Sequence, residues 1–218
     1  MRSTWIAMLM MAACVMPAMG AETDAKAEFD ARAYLIEEAE ELRLAATAGP
    51  KEITEGATYY VLRADGYAKV KDGTNGFHCF LERSWSGPSS VNKRGFNPRV
   101  RAPHCINPEG ARTTMQEIFM VAKLAMAGHS GEEIDRVIER AYADGDLTLP
   151  TSLSLTYMMS KHQHLADAVG AWKPHVMMWI PYLTKDQVGL YRSSSANLEG
   201  KPGSRRTVLV FAVPEFIE

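Results

Sequence analysis

The stretch ATYYVLRADGYAKVKDGTNGFHCFLERSW, residues 57–85, constrains the fold more than any other. Two short runs of β-favouring residues flank Asp65-Gly66, and an Asp-Gly pair supplies the positive φ angles that a tight type I′ hairpin requires. A second turn-rich segment, Asp72-Gly73-Thr74-Asn75-Gly76, leads into a third run in which Phe77, Cys79 and Leu81 alternate with His78, Phe80 and Glu82. The spacing predicts a three-stranded antiparallel meander, so the domain is organised around a sheet.

Helical signals lie on either side. Over 23–48, Phe29, Ala33, Ile36, Ala39, Leu42 and Ala46 recur at spacings of three and four, and Gly49-Pro50 ends the pattern. Thr114-x-x-Glu117 resembles a capping box, followed by a stripe of Met115, Ile118, Phe119, Ala122, Ala125 and Met126. Ser130-x-x-Glu133 opens a second helix whose inner face would be Ile134, Val137, Ile138, Ala141 and Tyr142. Between these regions, residues 84–110 show no period and are rich in Pro, Gly, Ser and Asn, which predicts a long loop. Such loops are uncommon in compact domains and often functional. This one carries Lys93, Arg94, Arg99 and Arg101 against Glu109 alone, a cluster that suits either an anionic ligand or solvent.

Further strands are expected at 151–160, with Leu153, Leu155 and Tyr157 alternating against Ser152, Ser154 and Thr156, at 174–181, and at 207–214, the last apolar enough for a sheet centre. Residues 162–171 read as a short helix or turn, and 193–204 as a polar loop. Helices and strands are grouped rather than alternating, which indicates an α+β fold: a mostly antiparallel sheet of five to six strands with helices packed on it.

The first twenty residues hold one cation at Arg2, an apolar run, and Ala18-Met19-Gly20 before Ala21. That is the layout of a secretory signal peptide, with cleavage expected after Gly20 and a single exported domain over 21–218. The run is shorter than the roughly 20 residues a membrane span needs. A second reading takes Met11-Ala12-Ala13-Cys14 as a lipoprotein site, with Cys14 lipidated. Either way the destination is the periplasm or the exterior. Removing residues 1–20 takes one of the 24 Lys and Arg and none of the 26 Asp and Glu, leaving a formal charge of about −3, which is too balanced for a nucleic-acid partner. It also leaves Cys79 and Cys105, an even pair in an oxidising compartment, which reads as one disulfide worth on the order of 3 kcal/mol.

Candidate chemistry concentrates in KHQHLADAVGAWKPHVMMWIP, residues 161–181. On a strand, His175, Met177 and Trp179 share one face, the face that could wall a pocket, and Val176, Met178 and Ile180 share the other, taken as core. His162, His164 and His175 are candidate zinc ligands, with an open position for water, although their spacing matches no metalloenzyme pattern. Met158, Met159 and Met177 beside His162 and His175 are a candidate soft site for Cu(I). Methionine also fills irregular cores, and histidines bonded at a strand end are the plainer reading. Ser152, Ser154 or Ser160 with His175 and Asp167 would make a nucleophilic arrangement. GHSGEE, residues 128–133, superficially resembles a nucleophile elbow, but a helix precedes Ser130 and Glu132 stands where the motif has glycine, so Ser130 reads as a helix cap.

KDGTNGFHCFLERSW, RAPHCINPEGART, YMMSKHQHLAD and WKPHVMMWIP together resemble a group of secreted bacterial proteins with no assigned activity, over roughly residues 48–181. The resemblance implies export and places both cysteines inside shared motifs. Relatives tend to read Gly-His-Trp-His-Pro-His where this chain has Gly170-Ala171-Trp172-Lys173-Pro174-His175, so two of three potential ligands are replaced.

These readings point to an exported cell-envelope protein, either a non-catalytic binding or accessory domain or a hydrolase-type enzyme using His175 with or without a metal. In the first case a small ligand or envelope protein would be recognised through His175, Trp172, Lys173, Arg99 and Arg101. P-loop and dinucleotide glycine patterns are absent, and the sequence leaves any cofactor open.

Overall fold

The computed structural model describes residues 29–85, 96–167, 169–189 and 196–217; the leader and Cys14 lie outside them. The elements follow the order η1 (Ala31–Tyr34), α1 (Glu38–Ala45), α2 (Lys51–Thr54), β1 (Thr58–Arg63), β2 (Gly66–Lys71), β3 (His78–Glu82), β4 (Ala102–Ile106), α3 (Pro108–Arg112), α4 (Thr114–Met126), α5 (Gly131–Asp144), β5 (Ser154–Met158), β6 (His175–Trp179), α6 (Lys185–Val188), β7 (Ala196–Glu199) and β8 (Val208–Ala212). The strands form one sheet of eight, in the order β2-β1-β3-β4-β5-β6-β8-β7, more than the five to six expected. Every neighbouring pair is antiparallel except β1 with β3.

That exception replaces the expected meander. β3 does not return along β2; it runs parallel to β1, with Thr58 opposite His78 and Tyr59 opposite Cys79. The turn after β2 folds back across the start of β1. Thr74 and Asn75 donate their amides to Gly56 O, Gly73 donates to Thr58 Oγ1, and the Asn75 side chain donates to Ile53 O. At Gly73 a Cβ would lie 2.3 Å from the Ala57–Thr58 peptide, so only glycine permits this approach. The hairpin itself is shifted by one residue from the expected turn. Arg63 pairs with Gly66 around Ala64-Asp65, and of these only Gly66, at φ 119°, has a positive φ, so the turn is not type I′.

The long loop contains the sheet's central strand. All five residues of β4 are buried, and they pair along β3 from Glu82↔Ala102 to His78↔Ile106. Pro103 is tolerated because β5 pairs only with Cys105 and Ile106, so no second ladder reaches it. Among the described residues those two pairs are the register of β4 with β5, continued by the Asn107 amide donating to Leu155 O. The polar loop before β8 likewise contains edge strand β7, which moves β8 one place in from the edge rather than to the centre.

Cys79 and Cys105 lie directly opposite one another on β3 and β4 and form a disulfide with Cα atoms 4.1 Å apart. On their face, α1 and its continuation pack Ala45 and Ala48 over Ala57, Tyr59 and the disulfide. The opposite face receives α3 and α4 through Phe80, Ile106, Ala111, Met115 and Ile118. The expected helix over 23–48 is in its described part a 3-10 turn followed by α1, with Glu41 buried and paired to the equally buried Arg83 at 3.0 Å. Burial pushes the Glu41 carboxyl up against the pull of Arg83. Ser130 and Glu133 form a true capping box, and α5 ends at Gly145 in the left-handed region. Thr114 and Glu117 do not: α4 starts at Thr113 without a side-chain cap, and Glu117 is engaged elsewhere. Val137, expected in the α5 core face, is exposed.

The predicted faces of β6 are reversed, and in β5 the polar side of the alternation is the inner one. Ser154 and Thr156 are fully buried, Oγ of Ser154 against Thr114 Oγ1 and Oγ1 of Thr156 accepting from Trp179 Nε1, whereas Leu155 and Tyr157 are half-buried. In β6, His175 and Met177 are the buried residues and Val176 and Met178 the half-exposed ones. Met177 packs with Ala102, Met158, Leu165, Val208 and Val210. No helix among the described residues is long and apolar enough to cross a membrane.

Candidate functional site

Residues 97–101 lead into β4, and residues 161–173 lead into β6; the fold presses these two segments together. Arg101 and His164 form an antiparallel bridge. Three residues on, the Asp167 carboxylate takes Nε2–H of His164 at 3.0 Å on one oxygen, and Nη2 of Arg99 at 2.6 Å and Nδ2 of Asn97 at 3.0 Å on the other. The His164 contact, with Arg99 and Asn97 behind it, holds the Asp167 carboxyl below the usual carboxylate range. Gln163 donates to Trp172 O at 2.8 Å, and Trp172 meets His175 edge-on at 4.9 Å between ring centres.

Arg99, Arg101 and His164 are thus gathered by the bridge and by Asp167, and Trp172, tied to Gln163 through its carbonyl, packs on the buried His175. His162 and Arg101 also act through space on Glu40 of α1, whose carboxyl is held down chiefly by its bond to Arg43. Arg101 is half-exposed and, among the described residues, forms no ion pair. Lys173 is exposed next to Trp172.

His175 is 3% exposed, with Nδ1 2.7 Å from Lys173 O. His162 is exposed on the turn and His164 is engaged with Asp167. Among the described residues no three His, Cys, Asp or Glu side chains converge as a metal site would require. Met158 and Met177 belong to the apolar cluster, and the Met159 amide donates to Ala48 O. Ser160 is fully buried with its Oγ 2.6 Å from Thr47 Oγ1, Ser154 is fully buried beside Thr114, and Asp167 partners His164 rather than His175.

A second polar constellation had no counterpart in the sequence reading. Glu117 of α4 is almost entirely buried; one oxygen pairs with Arg206 and the other accepts from Tyr142 of α5 at 2.7 Å. Burial and the neighbouring Glu117 charge push the Tyr142 phenol up, keeping it a donor. Arg205 lies over the Tyr142 ring at 4.7 Å and pairs with Glu139 at 2.6 Å. Together with Thr114, Ile118, Leu149, Pro150 and Trp179 these residues line a shallow cleft whose enclosed volume is about 10 Å³, room for a water-sized group. Of the His175, Met177, Trp179 face, Trp179 borders this cleft. The one part of the site that the sequence reading touched was Thr114-x-x-Glu117, read as a cap.

Compared with protein-family models, curated proteins and solved structures, the chain matches none.

Proposed function

We propose that the protein is an exported domain of the cell envelope, secreted or periplasmic, that binds a partner or small ligand bearing an anionic group through the surface of Arg99, Arg101, His162, His164, Trp172 and Lys173, without catalysing a reaction on it. The observation that carries this reading is the Arg101–His164 bridge, which gathers cationic and aromatic side chains from two segments distant in sequence and leaves Arg101 without an ion-pair partner among the described residues. An arginine of this kind suits a carboxylate or phosphate group. Export is supported by the leader-like first twenty residues, the buried disulfide and the resemblance to secreted bacterial proteins. The hydrolase reading would need His175 at a substrate, and its burial disfavours that.

The test has two parts. Expressed with its leader in a bacterial host, the protein should be recovered outside the cytosol, with a processed N-terminus at Ala21 or at a lipidated Cys14; recovery in the cytosol starting at Met1 would refute export. Titrated with polyphosphate at low ionic strength, the mature protein should bind, and Arg101→Glu should weaken binding at least tenfold. Equal binding by the two proteins would remove this surface from consideration.

A further inference from the structure

Val176 and Met178 of β6 lie on the outer face of the sheet with Leu155 of β5 and with Leu209 and Phe211 of β8, and Ile180 continues the alternation past the end of β6. The pairing sets them side by side: Leu155, Met178 and Leu209 form one row across three strands, and Val176 and Phe211 stand in the next. On this face α1 packs on β1, β3 and β4, and its cover ends at Tyr157. Past that boundary no helix of the described residues packs broadly on β6 or β8. None of the six residues joins any of the apolar clusters of the described core; five are half-buried and Phe211 is 37% exposed. The opposite face of the same strands is closed, with Met158, Met177, Val208 and Val210 buried together. Apolar side chains scattered singly over a surface are ordinary, whereas a contiguous array marks a place of contact.

We propose that this face is a self-association surface, on which a second copy of the chain packs sheet against sheet. Charge argues for a copy. β5, β6 and β8 contain no Lys, Arg, Asp or Glu, so the face offers nothing to a charged ligand and lacks the cations that hold a protein to an anionic membrane. Laid against itself it brings no like charges together, and the shape that fits a flat apolar sheet is another such sheet about 10 Å away. A two-fold axis running between the copies puts β6 over β6 and uses each contact twice. Area sets the strength. Three strands about 4.8 Å apart, with three outward positions along β6, give a footprint of roughly 15 by 15 Å, well below the ~800 Å² that a stable complex takes from each partner. The pair therefore forms and parts reversibly. The face shares no residue with the Arg101 surface, and the proposal does not rest on the binding function assigned there.

Sedimentation of the mature protein from about 10 µM to about 1 mM should show the mean mass rising from monomer towards dimer, with Kd on the order of 100 µM. Amide signals that move with concentration in ¹H–¹⁵N spectra should lie on β5, β6 and β8. Met178→Lys should weaken association at least tenfold, whereas Arg101→Glu should leave it unchanged. Met178→Cys under mild oxidation should give a covalent dimer in clear excess over Glu52→Cys, an exposed position on α2, which tests the arrangement even where the lysine variant is unstable. A chain that stays monomeric at about 1 mM, concentration-dependent shifts confined to other surfaces, undiminished association by Met178→Lys, or no excess of the Met178→Cys dimer would each overturn the proposal. So would a monomer whose β6 signals move instead with decanoate, which would give the face to acyl chains.

Discussion

Arg101 and His164 exchange both of their main-chain hydrogen bonds, at 2.9 and 2.8 Å, across a chain separation that spans β4, α3, α4, α5 and β5. Asp167 fastens the same junction from the side. Asp167→Ala should speed hydrogen exchange at the Arg101 and His164 amides while the thermal midpoint moves by only a few degrees, because exposed pairs contribute little to global stability. Because the folded carboxyl is depressed, its contribution is complete above the usual carboxylate range and disappears as pH falls through the folded value. Acidification should therefore loosen these two amides in the native chain and change them much less in Asp167→Ala.

Glu117 and Arg206 are each about nine-tenths buried, so removing one leaves the other's charge buried without its ion pair. Arg206→Met should cost about 3–5 kcal/mol in urea denaturation. Tyr142→Phe, which withdraws only one donor, should cost about 1–3 kcal/mol. The double change Arg206→Met with Glu117→Leu should be less damaging than Arg206→Met alone. A double variant at least as unstable would mean that the pair is not what holds the β7–β8 connector to α4.

Replacing Cys79 and Cys105 together by alanine should lower stability by about 3 kcal/mol. Both sulfurs lie in a region without solvent access, so the native disulfide should resist reductant and alkylating reagent until denaturant opens the sheet. Mass spectrometry of alkylated protein across a urea series reads this directly.

His78 reports on a different edge of the core. Burial depresses its imidazole pKa, with Lys69 adding to the effect, and Nδ1 lies 3.0 Å from the Tyr60 hydroxyl. The neutral ring therefore contributes stability above the unfolded value near 6.5, and that contribution is lost as pH falls and the unfolded chain takes up the proton more readily. Urea midpoints should decline between pH 7.5 and 5, and His78→Gln should flatten the decline.

Gly73→Ala should destabilise markedly, since nothing but backbone lies in the path of the added methyl group. The clearest readout is loss of amide protection in β1 and β3, whose parallel pairing depends on that crossing.

What the sequence made legible was local. The β1–β2 hairpin, the two-helix α4–α5 unit, the Ser130 capping box and the Cys79–Cys105 pair all follow from residues near one another or from simple pairing. The partner of β3 did not, because it is set by Gly73 passing under the Ala57–Thr58 peptide. β4 was hidden because Ala102, Pro103 and His104 carry no β signal of their own and owe their burial to neighbours in space. Alternation in β5 and β6 marked two faces correctly but not which was deeper, and hydrogen-bonded Ser154 and Thr156 occupy the inner one. For the candidate surface, Arg99, Arg101, His164, Trp172 and His175 were nameable one by one, whereas their assembly required the Arg101–His164 bridge. Glu117, Tyr142, Arg205 and Arg206 gave no common signal, being spread from α4 to the last hairpin.

The sheet is continuous by strand order yet joined at its middle by two residue pairs, Cys105↔Tyr157 and Ile106↔Thr156. Such a narrow seam is a natural line of parting. The covalent link fastens β3 to β4 before it, while the four strands after it are tied to the first half by the Arg101–His164 bridge, by the Met159 amide on Ala48 O, by side-chain packing and by the β7–β8 tip anchored to α4. Partial unfolding should accordingly proceed in two stages, with the later half of the chain released first and residues 161–173 going with it.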